Sequence, residues 1–278
     1  MADATSVASI EVHPRTTRPQ GHYRLLGELR SEWTKIRSVR STTWSLIATV
    51  LVIIGIGILG CSAVASHYSS APNPNQDFTS ISLLGVLFGQ LAIGVLGVLV
   101  MSAEYSTGTI RATLSAIPNR PLVLLAKALV YGLLAFVVSE LVTFAAFFIG
   151  QAILSTGAPH ATLGQPGVLR AVIGSGLYLT VLGLLALGLA AIIRHTAGSI
   201  TAFVGILLIP PLILQAFPMS WRHAVLRYLP AIIGGNMTST VRETGFPVFS
   251  PWVGLGVLGV YAAVALVVGG VLFTRRDA

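Results

Sequence analysis

The sequence predicts an all-α integral membrane protein with six transmembrane helices. It also predicts an amphipathic interface helix before the first span and an outer re-entrant segment before the last. Three observations carry this. Of 278 residues, 54% are apolar and only 9% are charged, where soluble domains carry roughly 25% charge. Apolar runs of about 20 residues recur along the chain, each long enough at ~1.5 Å per residue to cross a hydrocarbon core of ~30 Å. A soluble domain of this length has no interior large enough to hide so much apolar surface, and the mean hydropathy of +0.83 agrees.

The elements follow in order. Residues 1–21 are polar, contain Pro14 and Pro19, and read as a disordered tail. Residues 22–41 read as an amphipathic helix in the headgroup plane, with Leu26, Leu29, Trp33 and Ile36 at 3-4-3 spacing and Lys35 and Arg37 among the charges between them. The first apolar run is too long for the core of a cleavable signal peptide. Spans are expected at about 43–65, 80–103, 122–154, 169–193, 197–217 and 251–273, the fifth interrupted at Pro210-Pro211. Together, residues 22–275 read as one transmembrane domain. Residues 218–250 are too long for a turn and too apolar for a free loop. Trp221, Tyr228, Ile232 and Ile233, broken by Pro230 and Gly234-Gly235, suit a pair of interfacial or re-entrant helices.

Charge placement sets the expected topology. The net charge of +8 is no nucleic-acid patch, because the basic residues sit at the ends of apolar runs. Thirteen of the 17 fall on the side that holds both chain ends, and only Arg170, Arg222, Arg227 and Arg242 fall on the other. Both termini are therefore expected in the cytoplasm.

Besides the 218–250 segment, three features are candidates for function. The loop Glu104-Tyr105-Ser106-Thr107-Gly108-Thr109-Ile110-Arg111-Ala112-Thr113-Leu114 holds Ile110 and Leu114 at helical spacing. It reads either as a lever for a cytoplasmic partner or as a polar loop with an incidental stripe, and Glu104 and Arg111 could pair across two turns. Glu140 is a carboxylate inside the third span, which is a functional-site hypothesis by default. Gln90 in the second span could meet it. Glycines inside the spans, such as Gly85 and Gly89, suit close helix packing. The lone Cys61 reads as a small apolar filler, and it excludes an intramolecular disulfide. The six scattered histidines suggest no metal site.

No Gly-x4-Gly-Lys-Ser/Thr occurs, and neither Lys35 nor Lys127 lies in a glycine-rich loop, so an ATP site of that kind is not expected. There is no His-Glu-x-x-His and no Gly-x-Ser-x-Gly, so an intramembrane enzyme is disfavoured. The residues alone leave open an ATP-independent secondary transporter or channel, and a non-transporting membrane regulator.

Two segments carry a resemblance. "LLGELRSEWTKIRSVRSTTWSL" leads into the first span, and "EYSTGTIRATLSAIPNRPLVLLAKAL" follows the second. Together they resemble the permease subunit of bacterial type-2 ATP-binding-cassette (ABC) transporters, over roughly residues 22–275. The resemblance implies a multi-pass protein of the bacterial cell membrane and, with it, an exporter. Residues 104–117 would form the helix that couples to a cytoplasmic ABC ATPase, with Glu104, Tyr105, Thr107, Gly108, Ile110, Arg111 and Leu114 as candidates. Residues 24–41 would be the interface helix. No cofactor would bind this chain, since ATP-Mg would sit on the ATPase. Partners would be that ATPase, a second permease copy or homologue, and the lipid bilayer, with no nucleic acid.

Overall fold

The computed structural model describes residues 25–73, 75–106, 120–241 and 248–275. Helix α1 spans Leu25–Ser38, α2 Arg40–His67, α3 Phe78–Ser82, α4 Val86–Ser106, α5 Arg120–Leu154 and α6 Val168–Ile193. Then come α7 at Thr196–Ile213, α8 at Met219–Val225, α9 at Pro230–Thr238 and α10 at Pro251–Arg275. No strand occurs among the described residues. Six helices (α2, α4, α5, α6, α7 and α10) are long and apolar enough to cross a membrane. The chain is an all-α integral membrane protein.

Helix α6 is the axis of the bundle and packs on α4, α5, α7, α9 and α10. Its most apolar stretch is 67% buried, whereas that of α7 is 17% buried. In lipid no hydrophobic force drives helices together, so close contact depends on small residues. At Gly188 an added Cβ would lie 2.8 Å from the Ala265 methyl of α10, and at Gly85 it would overlap the backbone of Ile53 in α2. Buried polar ties reinforce the seams: the Tyr131 hydroxyl donates to the Ile93 carbonyl at 2.8 Å, joining α5 to α4.

Several boundaries differ from the sequence expectation. Helix α4 starts at Val86 rather than near 80, because Asp77 caps the separate short helix α3 through the amides of Thr79 and Ser80. It also continues past 103 to Ser106, taking Glu104 and Tyr105 into its last turn. Pro210 and Pro211 do not interrupt α7, which runs on to Ile213 and ends in a 3-10 turn at Leu214–Ala216. The expected tail at 1–21 lies outside the described residues.

At one end of the bundle Asp77 gathers distant chain. Besides capping α3, its second oxygen accepts from the Ser239 hydroxyl at 2.9 Å and from the amides of Thr240 and Val241. Arg170, at the start of α6, donates to the carbonyls of Met237 and Ser239. These two residues tie the exit of α9 to α3 and α6. Gln151 adds a third knot, donating to the Phe78 carbonyl and accepting from the Ala161 amide. Burial pushes the Asp77 carboxyl up, but hydrogen bonds from Ser80, Thr240 and Ser239 outweigh it and hold the group below its ordinary value. A depressed folded value stabilises the fold above the ordinary carboxylate range, and that contribution is lost as pH falls through the folded value. The difference in thermal stability between wild type and Asp77→Asn should therefore be full at pH 7 and shrink steadily under acid. A difference independent of pH would contradict the assignment.

Candidate functional site

At the opposite end, both lysines of the chain converge on two glutamates. Lys127 Nζ, in α5, lies 2.5 Å from Glu32 Oε2 of α1 and 3.0 Å from Glu104 Oε1 of α4. Lys35 Nζ, in α1, lies 2.7 Å from Glu32 Oε1 and 2.9 Å from Glu104 Oε1. The four residues form a closed, charge-neutral ring across three helices. Lys127, Glu32 and Glu104 are buried, with the Lys127 side chain 3% exposed and that of Lys35 37% exposed.

Local sequence explains the geometry. Glu28, Glu32 and Ile36 recur every fourth residue, so they share the face of α1 that is buried against the bundle. Lys35 is one turn from Glu32 and pairs within the helix. Val39 is extended, with ψ of 117°, and divides α1 from α2. A carboxylate in the last turn of a helix opposes the dipole, so Glu104 needs the two ammonium groups that it meets. Burial pulls the Lys35 ammonium down, but its bonds to Glu32 and Glu104 outweigh this and raise it. Burial and the neighbouring Glu32 charge push the Glu28 carboxyl up.

A second cluster lies beside the ring. Arg194 ends α6 in the left-handed region, at φ of 60°. Its guanidinium donates to the Leu272 carbonyl at 2.8 Å and lies over the rings of Tyr105 and Phe273, at 5.6 and 5.9 Å. The same end of the bundle is thus closed by one ion ring and one cation–π stack.

The structure rearranges the candidate residues. Glu104 meets Lys35 and Lys127, whereas Arg111 lies outside the described residues, as do Thr107, Gly108, Ile110 and Leu114. Tyr105 is held by Arg194. In α1 the expected apolar stripe divides. Ile36 turns inward and Leu29 is half-buried, while Leu26 is 73% exposed and Trp33 47% exposed. The inward face is acidic because Glu32 is drawn to Lys127, two turns inside α5. Lys35 turns to the ring and Arg37 stays exposed.

Gln90 does not meet Glu140. It accepts from the Tyr178 hydroxyl and donates to the Leu87 carbonyl. Glu140 instead packs on Gly176 of α6, where a Cβ would come within 2.5 Å of its carboxyl carbon. Neither of its carboxyl oxygens has a hydrogen-bond partner among the described residues. Glu32 and Lys127 were not among the sequence candidates for a site. The signal available was that the only two lysines sit on the same expected side of the membrane as Glu32 and Glu104.

The fold and its closed polar end define a polytopic helical membrane protein. A family model described as "ABC-2 family transporter protein" matches residues 28–210, from α1 into α7 and across the whole ion ring. The chain belongs to that family, whose members are membrane components of transporters rather than enzymes and generally work with a cytoplasmic ATPase subunit. No curated protein matches the chain.

Losing one partner from a buried ion pair strands the other charge, at a cost of about 3–5 kcal/mol. Lys127→Met should destabilise the protein on that scale in a detergent unfolding assay. The double variant Glu32→Gln/Lys127→Met should cost less than the sum of the singles by at least ~1 kcal/mol, as expected for residues in contact. Strict additivity would contradict the ring.

Proposed function

We propose that this chain is the permease subunit of an ABC exporter, a single transmembrane domain over residues 22–275 with both termini in the cytoplasm. It is driven by a separate ATPase that binds the segment 104–117. A second copy or a homologue completes the substrate pathway, and ATP-Mg binds on the ATPase. The family match over residues 28–210 carries the reading. The charge distribution supports the orientation, with the Lys127 end facing the cytoplasm.

The ring suggests how a push would spread. Glu104 is in the last turn of α4, where the proposed docking segment begins, and Lys127 is near the start of α5, beyond its end, and the two pair at 3.0 Å. Glu32 and Lys35 add α1 to the same unit. Force applied between residues 106 and 120 moves three helices together rather than bending one. The work comes from a difference in affinity of the ATPase for the two permease conformations. Glu104, Tyr105, Thr107, Gly108, Ile110, Arg111 and Leu114 would form or brace the docking surface.

Reconstitution with the cognate ATPase tests this. The double variant Glu104→Gln/Arg111→Ala should insert into membranes but lose most of the permease-stimulated ATPase activity, roughly tenfold or more, the loss expected when ~1.4 kcal/mol of coupling disappears. Unchanged stimulation would overturn the coupling role. Flux through liposomes holding the chain alone would overturn dependence on an ATPase.

A further inference from the structure

A groove of about 740 Å³ lies between α1 and α5. Its walls are Leu26, Leu29, Leu129 and Leu133, with Arg30 and Trp33 also lining it. Leu26, Arg30 and Trp33 recur at 4-3 spacing, and Arg37 follows at 4, so they share the face of α1 opposite the acidic one. All four are exposed. Among the described residues no acidic side chain lines the groove.

Depth gives the groove its direction. Lys127 is joined to α1 through Glu32, so it marks the level at which α1 crosses α5. Leu129 and Leu133 lie about 3 and 9 Å further along the helix axis, at ~1.5 Å per residue. The groove thus has a guanidinium and an indole at its polar level and an apolar wall running into the bilayer. An amphiphile with an anionic head and an extended chain matches both parts. Indoles favour the headgroup boundary, and arginines at that level attract anionic headgroups.

We infer that the groove between α1 and α5 seats one phospholipid with an anionic headgroup. Its phosphate lies on Arg30 beside Trp33, and an acyl chain lies along Leu129 and Leu133. The seated lipid braces α1 against α5 on the side away from the ion ring. This rests only on the chain being embedded in a membrane, so it stands or falls apart from the exporter reading.

Single-tryptophan quenching tests it on the full chain. Trp44, Trp221 and Trp252 are all exposed, and replacing them with Phe leaves Trp33 as the only tryptophan, excited selectively over the tyrosines. In phosphatidylcholine vesicles, phosphatidylglycerol brominated on its acyl chains should half-quench Trp33 at about one-fifth of the mole fraction that brominated phosphatidylcholine needs. That factor is the attraction of one arginine at the surface, ~1 kcal/mol. Arg30→Gln should bring the two curves together. Native mass spectrometry of the chain with all four tryptophans, wild type against Arg30→Gln, reads the same preference if the triple variant misfolds. Equal quenching by both lipids, or a preference that survives Arg30→Gln, overturns the headgroup site. A Trp33 that neither lipid quenches shows the groove covered by protein, from residues 1–24 or a partner, and overturns it as well.

Discussion

The pairing of one buried and one half-buried ammonium group with two buried carboxylates at one end of the bundle is the constraint on which the other arrangements there depend. Removing any one charge from water costs several kcal/mol, and only mutual pairing repays it. The four groups therefore have to meet, and meeting fixes three helices at once. Helix α1 must present an acidic face inward. Helix α4 must extend to its last turn so that Glu104 arrives, and α5 must begin early enough for Lys127 to sit two turns inside it. The outward face of α1, with Leu26, Arg30 and Trp33, is the other consequence of the same rotation.

The opposite end is organised by different means. There the chain crosses between helices in short turns and half-helices, and their backbone amides need acceptors. A single carboxylate, Asp77, serves α3 and the exit of α9 together, and Arg170 takes the carbonyls that α9 leaves open. Between the two ends polar contact is sparse and packing takes over. Tyr131 and Tyr178 spend their hydroxyls on α4, and glycines let α6 approach its neighbours. Glu140 stands apart in this middle layer, housed by the space that Gly176 leaves open.

How much of this could be read from the chain follows from the range of each interaction. Apolar length and composition are local, so the six spans, α1 and the short helices of 218–250 were legible as element types. Boundaries were legible only where a local breaker decides them. The start of α4 depends on Asp77 capping a separate turn, and its end depends on partners far away. The ring is hidden for the same reason, since Lys127 and Glu32 are 95 residues apart and Lys35 and Glu104 are 69 apart. Hydropathy marks Lys127 as a topology signal and Glu32 as part of an amphipathic stripe, and neither description implies the other. The expected meeting of Gln90 and Glu140 failed because Tyr178 satisfies Gln90 from the helix between them.

If the ring makes α1, α4 and α5 one mechanical unit, their mutual geometry should not change while the transporter turns over. Cys61 is the only cysteine, so a Cys61→Ser background accepts paired spin labels at the exposed positions Ser31 of α1 and Leu125 of α5. In a complex with the proposed ATPase partner, the distance distribution between those labels should be the same with and without trapped nucleotide. A nucleotide-dependent shift or a second population would show that α1 moves against α5, and it would contradict the account.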